Sequence, residues 1–204
     1  MLGGILVTAA LSCAFAEFYG YWLHKLLHSE KIEFLSRGHM VHHLVDYGPG
    51  KPLRPGPDYI VSARNRFNIF GIGMEWILPI GAAMGVVLGA MNAAGIGALY
   101  QGVFAVTGIA WGWFMFSYMH DNMHVTGFWL EKNPWLAKWF LAARRLHDIH
   151  HMSLDGHGRM NRNFGICFYF FDRLFGTLAP EHAEFDRKAL DSALKRYAYI
   201  FDPA

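Results

Sequence analysis

Residues 2–28 read LGGILVTAALSCAFAEFYGYWLHKLLH, an apolar run from Leu2 to Leu23 that ends on two histidines spaced four apart, His24 and His28. About 20 apolar residues suffice to cross ~30 Å of hydrocarbon as a helix. A cleaved signal peptide needs a basic segment ahead of a shorter apolar core. No Lys or Arg precedes this run, so it reads as a retained transmembrane helix.

Two further stretches have the same character: Ile69–Ala90, interrupted by Glu75 and Pro79, and Ile96–Met119. The link Met91–Gly95 suits a tight turn and makes these two a helical hairpin. Gly81, Gly85 and Gly89 recur every four residues, a spacing that permits close helix packing in lipid. The expected fold is an all-α integral membrane helical bundle, one domain over 1–204. Its spans fall near 2–23, 69–90 and 96–119, with polar caps at 24–68 and 120–204. Composition agrees: 53% of residues are hydrophobic, only 17% are charged, and mean hydropathy is positive. A net charge of +2 is too small to argue for nucleic acid. Cys13 and Cys167 form no framework and leave the redox compartment open.

The basic residues fix an orientation. Seven lie between Lys25 and Arg66 and eleven between Lys132 and Arg196, the full complement of 18. With three spans both segments fall on one side, which the positive-inside rule makes cytoplasmic. Within these segments, Pro134–His151 reads as an amphipathic helix, Asn163–Leu178 as a short buried or interfacial helix, and Arg187–Tyr197 as a helix in a charged tail.

Ten of the twelve histidines sit in four five-residue windows. His24 and His28 form H-x-x-x-H, and His39, His42 and His43 form H-x-x-H-H. His120 with His124, and His147 with His150 and His151, repeat the two patterns in the same order. Residues three or four apart on a helix share a face. Neutral imidazole is a good ligand for iron, zinc or copper, and ten ligands suit two metals better than one. The span count delivers every window to the same membrane face. No Glu follows a histidine in these windows, which disfavours the H-E-x-x-H chemistry of metalloproteases. Haem held by two histidines would leave most of the set unexplained.

Metal-bound histidines usually donate their free N–H to an acceptor. Asp121 and Asp148 sit beside box histidines, and since neighbours diverge on a helix each is expected to orient a different box. Glu17 lies on the His24 stripe, two turns deeper, and a carboxylate in a span marks function by default. His157, six residues past the last box, is a further candidate, against a plain loop position. Glu75 is expected at the interface and His182 at the surface. Trp111, Trp113, Phe114 and Phe116 either line a lipid channel or serve as packing.

The four boxes resemble the fatty acid hydroxylase/sterol desaturase superfamily of membrane di-iron enzymes. Asn163-Phe164-Gly165 followed by Phe171-Asp172-Arg173-Leu174-Phe175-Gly176-Thr177 is similar to that family's C-terminal signature, with Phe171 where a tryptophan is usual. The resemblance runs from His24 to about Leu178. It implies that the ten histidines hold two iron ions (zinc in some purified relatives) and that O₂ is used to hydroxylate or desaturate a C–H bond of a fatty acyl chain or sterol. It also implies that Asn163 and Asp172 form hydrogen bonds near the site. Carotenoid hydroxylases carry similar boxes. The chain has no G-x-G-x-x-G after a strand and no cysteine cluster, so electrons must come from a separate donor. A ferredoxin or a cytochrome b5 type with its reductase would serve, docking near Arg144 and Arg145. A membrane metal-binding or transport protein without catalysis is the alternative of another class.

Overall fold

The computed structural model describes residues 1–60, 68–69, 72–181 and 184–202. Among them the chain is helical, apart from a two-residue antiparallel pairing of β1 (Asn68–Ile69) with β2 (Ile72–Gly73). Three helices are long and apolar enough to cross a membrane. The first is α1 (Leu2–Leu27). The second is α3 (Met74–Ala93). The third is a continuous 26-residue helix built of α4 (Ala98–Trp113), a wide π segment (Phe114–Met119) and the closing turn α5 (His120–Met123). Their outer faces are bare hydrocarbon: Leu6, Val86 and Val106 are 61%, 72% and 70% exposed. Such a surface is stable only when lipid or protein covers it.

The helices differ from the sequence expectation at their ends. α1 runs past Leu23 through Leu27, so His24 stands on its last turns. α3 starts at Met74 rather than Ile69, because residues 68–69 and 72–73 pair as strands. The third helix runs on through Met123 and so carries His120 on its own backbone. The turn between α3 and α4 tightens to Ala94–Gly95, with Gly95 at φ +73° closing it.

α1 and α4 run parallel and touch through small residues. A Cβ on Gly4 would meet the Tyr100 ring, one on Gly108 the Ser12 hydroxyl, and one on Gly20 the Phe116 ring. The Ser12 hydroxyl donates to the Phe104 carbonyl at 2.6 Å. α3 joins α1 where the Tyr19 hydroxyl donates to the Pro79 carbonyl at 2.7 Å. The stripe expected to pack closely does not: a Cβ on Gly81, Gly85 or Gly89 would meet nothing within 4 Å. Spacing identified a smooth helix face there, but the packing glycines are those facing α1 and α4.

The cap is built from short helices. α2 (Glu33–Val41) runs into a π turn (His42–Asp46), so the second box is helical and not in a loop. α6 (Ala137–Met152) carries the fourth box; it begins after Pro134 because the Asn133 side chain accepts the N–H groups of Trp135 and Leu136. Within Asn163–Leu178 only α7 (Phe170–Leu174) is helical. The rest is irregular because its backbone N–H groups go to the Asp172 carboxylate instead of a helix ladder. α8 (Arg187–Arg196), capped by Asp186, packs with Tyr197 and Ile200 against Met40, Val41 and Leu44. A second core joins Met115, Met119 and Met123 to Phe128, Phe140 and Ile166. The histidines lie where these cores meet the ends of α1 and the third helix.

Candidate metal centre

The ten box histidines are all buried, none more than 9% exposed, and they fall into two groups of five. His24, His28, His39, His43 and His150 form the first; His42, His120, His124, His147 and His151 form the second. Within each group one ring nitrogen per residue lies within 4.8 Å of all the others. Helical phase explains the sorting. Residues four apart point the same way, so each such pair (24 and 28, 39 and 43, 120 and 124, 147 and 151) shares a group. His42 and His150, three residues into their triplets, are rotated about 100° from their neighbours His43 and His151. They cross into the opposite group. Where they cross, the His43 and His151 rings stack with centroids 4.0 Å apart.

Tautomers follow from what each Nδ1 meets. A carbonyl or carboxylate only accepts, so an imidazole nitrogen beside one must be the N–H. His24 Nδ1 donates to the Phe164 carbonyl (2.5 Å), His150 Nδ1 to that of Arg162 (2.6 Å), His124 Nδ1 to that of Leu53 (2.9 Å) and His151 Nδ1 to that of Tyr47 (3.2 Å). His120 Nδ1 donates to Asp121 Oδ1 at 3.3 Å. In all five the bare lone pair is therefore on Nε2.

These lone pairs face one another. His147 Nε2 lies 3.0 Å from His124 Nε2 and 3.2 Å from His151 Nε2, and a single proton could satisfy only one of them. His28 Nε2 lies 3.2 Å from His150 Nε2 and 3.0 Å from His39 Nε2. The Nε2 atoms of His24, His42, His43 and His120 are buried with no hydrogen-bond partner among the described residues. An unpaired buried polar atom costs about 1–3 kcal/mol. Convergent, unprotonated, otherwise unsatisfied imidazole nitrogens are what a metal ion requires, so the residues present fit one ion per group. Burial first, then the neighbouring imidazoles, holds His28, His39, His42, His43, His147 and His151 well below the ordinary histidine range. Burial likewise holds His124 low, and His150 is lowered to about 4. All eight are therefore neutral, and ligand-competent, at physiological pH.

The acceptors are mostly backbone, and sequence reasoning did not find them. Each group has its own loop. Residues 47–59 supply the second group with the Tyr47 and Leu53 carbonyls and, through Tyr59, a hydroxyl 3.2 Å from His42 Nδ1. Residues 162–164 supply the first group with the Arg162 and Phe164 carbonyls. Asn163 lies between these two carbonyls at φ +54°, a conformation Asn tolerates better than most residues. Its side chain donates to the Leu146 and Ala179 carbonyls and accepts from Ala179 N–H. Asp172 accepts from Phe164 N–H, Gly165 N–H and the Thr177 hydroxyl, each at 2.7 Å, which fixes the same loop. The only sequence signal for any of this was the Asn163 to Thr177 signature.

The remaining candidates are placed otherwise. Asp121 meets its own neighbour His120 and not another box. Asp148 forms a two-pronged ion pair with Arg54, at 2.7 and 2.9 Å, instead of orienting a histidine. Glu17 accepts from the Trp111 indole at 2.8 Å. His157 is exposed in a turn. Glu75 is buried rather than interfacial, against Gly73. His182 lies outside the described residues. Of the four aromatics, Trp113 and Phe114 are 46% and 39% exposed, while Phe116 packs on Gly20 and on Trp76, which in turn edges His39. Arg144 is buried, paired with Glu131 at 2.8 Å and lying over the Phe140 ring, so of the Arg144–Arg145 pair only Arg145 faces outward.

Comparison with known proteins gives a consistent assignment. Methylsterol monooxygenase 1 of Gallus gallus is 27% identical over 175 residues, covering 85% of this chain and 47% of that protein. Methylsterol monooxygenase 1 of Rattus norvegicus is 28% identical over 179 residues, covering 87% and 48%. The chain thus spans about half the length of the curated relatives it matches. No solved structure matches it. The sequence profile described as "Fatty acid hydroxylase" matches residues 9–177, a stretch that takes in all four boxes and both supporting loops. By that match, the chain belongs to the fatty acid hydroxylase family.

Proposed function

We propose that this chain is a membrane-bound, O₂-dependent oxidoreductase that hydroxylates or desaturates an unactivated C–H bond of a lipid, a fatty acyl chain or a sterol. The observation that carries this reading is the meeting of two five-imidazole groups at one end of three membrane-length helices. His24, His28, His39, His43 and His150 would hold one iron ion; His42, His120, His124, His147 and His151 would hold the other. When bound, the two ions supply the activation of O₂ and the oxidation of the C–H bond.

The rest of the work belongs to the protein. The two loops fix each imidazole's tautomer, so that every lone pair is aimed before metal arrives. Burial of all ten rings excludes water from the centre. A lipid tail lying along α1, α3 and the third helix meets Trp76 and Phe116 immediately before His39. The relatives' printed names point to sterols as one substrate class. The distribution of basic residues places the boxes on the cytoplasmic side. There a ferredoxin or cytochrome b5 type donor with its reductase would deliver electrons. A transporter would spread its ligands along a path near the bilayer midplane; here they gather at the helix ends.

The test combines metal analysis with lipid analysis. Purified chain is expected to hold two irons and to consume O₂ with a donor system. Membranes expressing it are expected to contain a lipid that has gained an oxygen atom or lost two hydrogens. Exchangeable metal with neither O₂ consumption nor an altered lipid would overturn the assignment.

A further inference from the structure

Most of the imidazoles whose Nδ1 has an acceptor are held by a backbone carbonyl. His42 and His120 in the second group are held differently, and their acceptors meet. His120 Nδ1 donates to Asp121 Oδ1 at 3.3 Å. The Tyr59 hydroxyl lies 3.2 Å from His42 Nδ1 and is hydrogen-bonded to the Asp121 carboxylate. A hydroxyl has one proton and an ionised carboxylate has none. Tyr59 must therefore donate to Asp121, which leaves its oxygen lone pair to accept from His42 Nδ1–H. The directions are mutually consistent, and both His42 and His120 are left with bare Nε2 atoms that have no partner among the described residues.

Tyr59 is held in place from its other side. Its ring stacks on that of Tyr47 with centroids 5.8 Å apart, and the Tyr47 ring stacks on His124 at 3.9 Å. The Tyr47 hydroxyl accepts the N–H of Ile60 at 2.7 Å, which anchors the chain just after Tyr59. The loop is tied to the far side of the group where Thr126 N–H donates to the Gly56 carbonyl at 3.0 Å.

From this geometry we infer that Tyr59 is a positioning residue for the second group: it relays Asp121 to His42, so that one carboxylate sets two imidazoles, His120 directly and His42 through the tyrosine. The inference rests on the two-metal reading. Tyr59 does not touch the metal position; it acts only through His42. Loss of such a supporting contact typically weakens metal binding 10–100-fold.

The test loads the purified full-length chain with Fe(II) without oxygen and follows ions per chain and their release to a chelator. Wild type is expected to hold two ions. Tyr59→Phe is expected to loosen one of them about 10–100-fold and leave the other at the wild-type rate, with helix content and the unfolding temperature of the metal-free chain unchanged. Asp121→Asn, which breaks the relay from its other end, loosens the same ion. Adding Tyr59→Phe to His42→Ala has no further effect, because the tyrosine has lost the residue it acts through. Wild-type retention of both ions in Tyr59→Phe, equal loosening of both, or additivity with His42→Ala would each overturn the inference. If Tyr59→Phe does not fold, Asp121→Asn decides it alone: loosening of one ion sustains the relay, and wild-type retention ends it. A wild-type chain that binds no metal defeats the two-metal reading itself, and the inference with it.

Discussion

Gly20 of α1 meets Phe116 so closely that a Cβ on Gly20 would lie 2.0 Å from the ring's Cζ. This contact is the last of three along the parallel pair, after Gly4 with Tyr100 and Ser12 with Gly108, and both helices advance by equal steps between them. The same step carried onward sets His24 level with His120, and His28 level with His124. Gly20→Ala is therefore expected to cost about 1–3 kcal/mol from overpacking and to lower metal content in both groups. Gly85→Ala, where a Cβ meets open space, leaves both unchanged. Thermal unfolding in detergent and iron per chain check the pair.

The sorting of the boxes makes neighbouring histidines act on different ions. Combining His42→Ala with His120→Ala, two members of the second group, is expected to lose one ion and retain the other. Combining His42→Ala with His28→Ala, one from each group, is expected to lose both. Elemental analysis of the four variants decides it. A sorting by box rather than by helical phase would make His42→Ala pair with His43→Ala instead.

Protons compete for the same lone pairs. The folded-state values are depressed, so the unfolded chain takes up protons first as pH falls. The contribution of the neutral imidazoles to stability is then complete above the ordinary value of 6.5 and is lost as pH falls toward about 4, the value for His150. Metal retention after buffer exchange is expected to decline across the same window, and stability of the metal-free chain to decline with it. A flat profile between these limits would show that the rings do not sit neutral and buried.

Asn163 tests the loop beneath the first group. Asn163→Ala removes three side-chain hydrogen bonds and forces a residue with a Cβ to hold φ +54° without the local help Asn gives. A loss of about 2–4 kcal/mol is expected, together with a weaker first-group ion, since the Arg162 and Phe164 carbonyls flank it. Asn163→Gly, which tolerates the backbone angle, is expected to recover part of the stability and not the metal affinity. Denaturant titration and chelator release separate the two effects.

Much of this was legible in the sequence because it depends on periodicity. Leu2 to Leu23 declares a span by composition, and four apart on a helix declares a shared face for His24 and His28 whatever surrounds them. The supporting acceptors were illegible for a physical reason: the Leu53 and Arg162 carbonyls belong to the backbone, and every residue has one. Asp121 and Asp148 look alike beside their histidines, yet one meets His120 and the other Arg54, because partners arriving from residues 54 and 59 decide it. The Gly81, Gly85, Gly89 stripe misled because a smooth face shows that packing is possible and not what lies opposite.

The exchange of His42 and His150 between the groups has a mechanical consequence. Without it, each ion would rivet only residues near it in the chain or in space. With it, an ion in the first group clamps α6 to α1 and α2, and an ion in the second clamps α2 to α6 and the end of the third helix. Each clamp passes through both triplet helices, so neither can slacken without loosening the other. The centre would then assemble and come apart as one joint, with metal uptake serving as the closing step of folding for the cap.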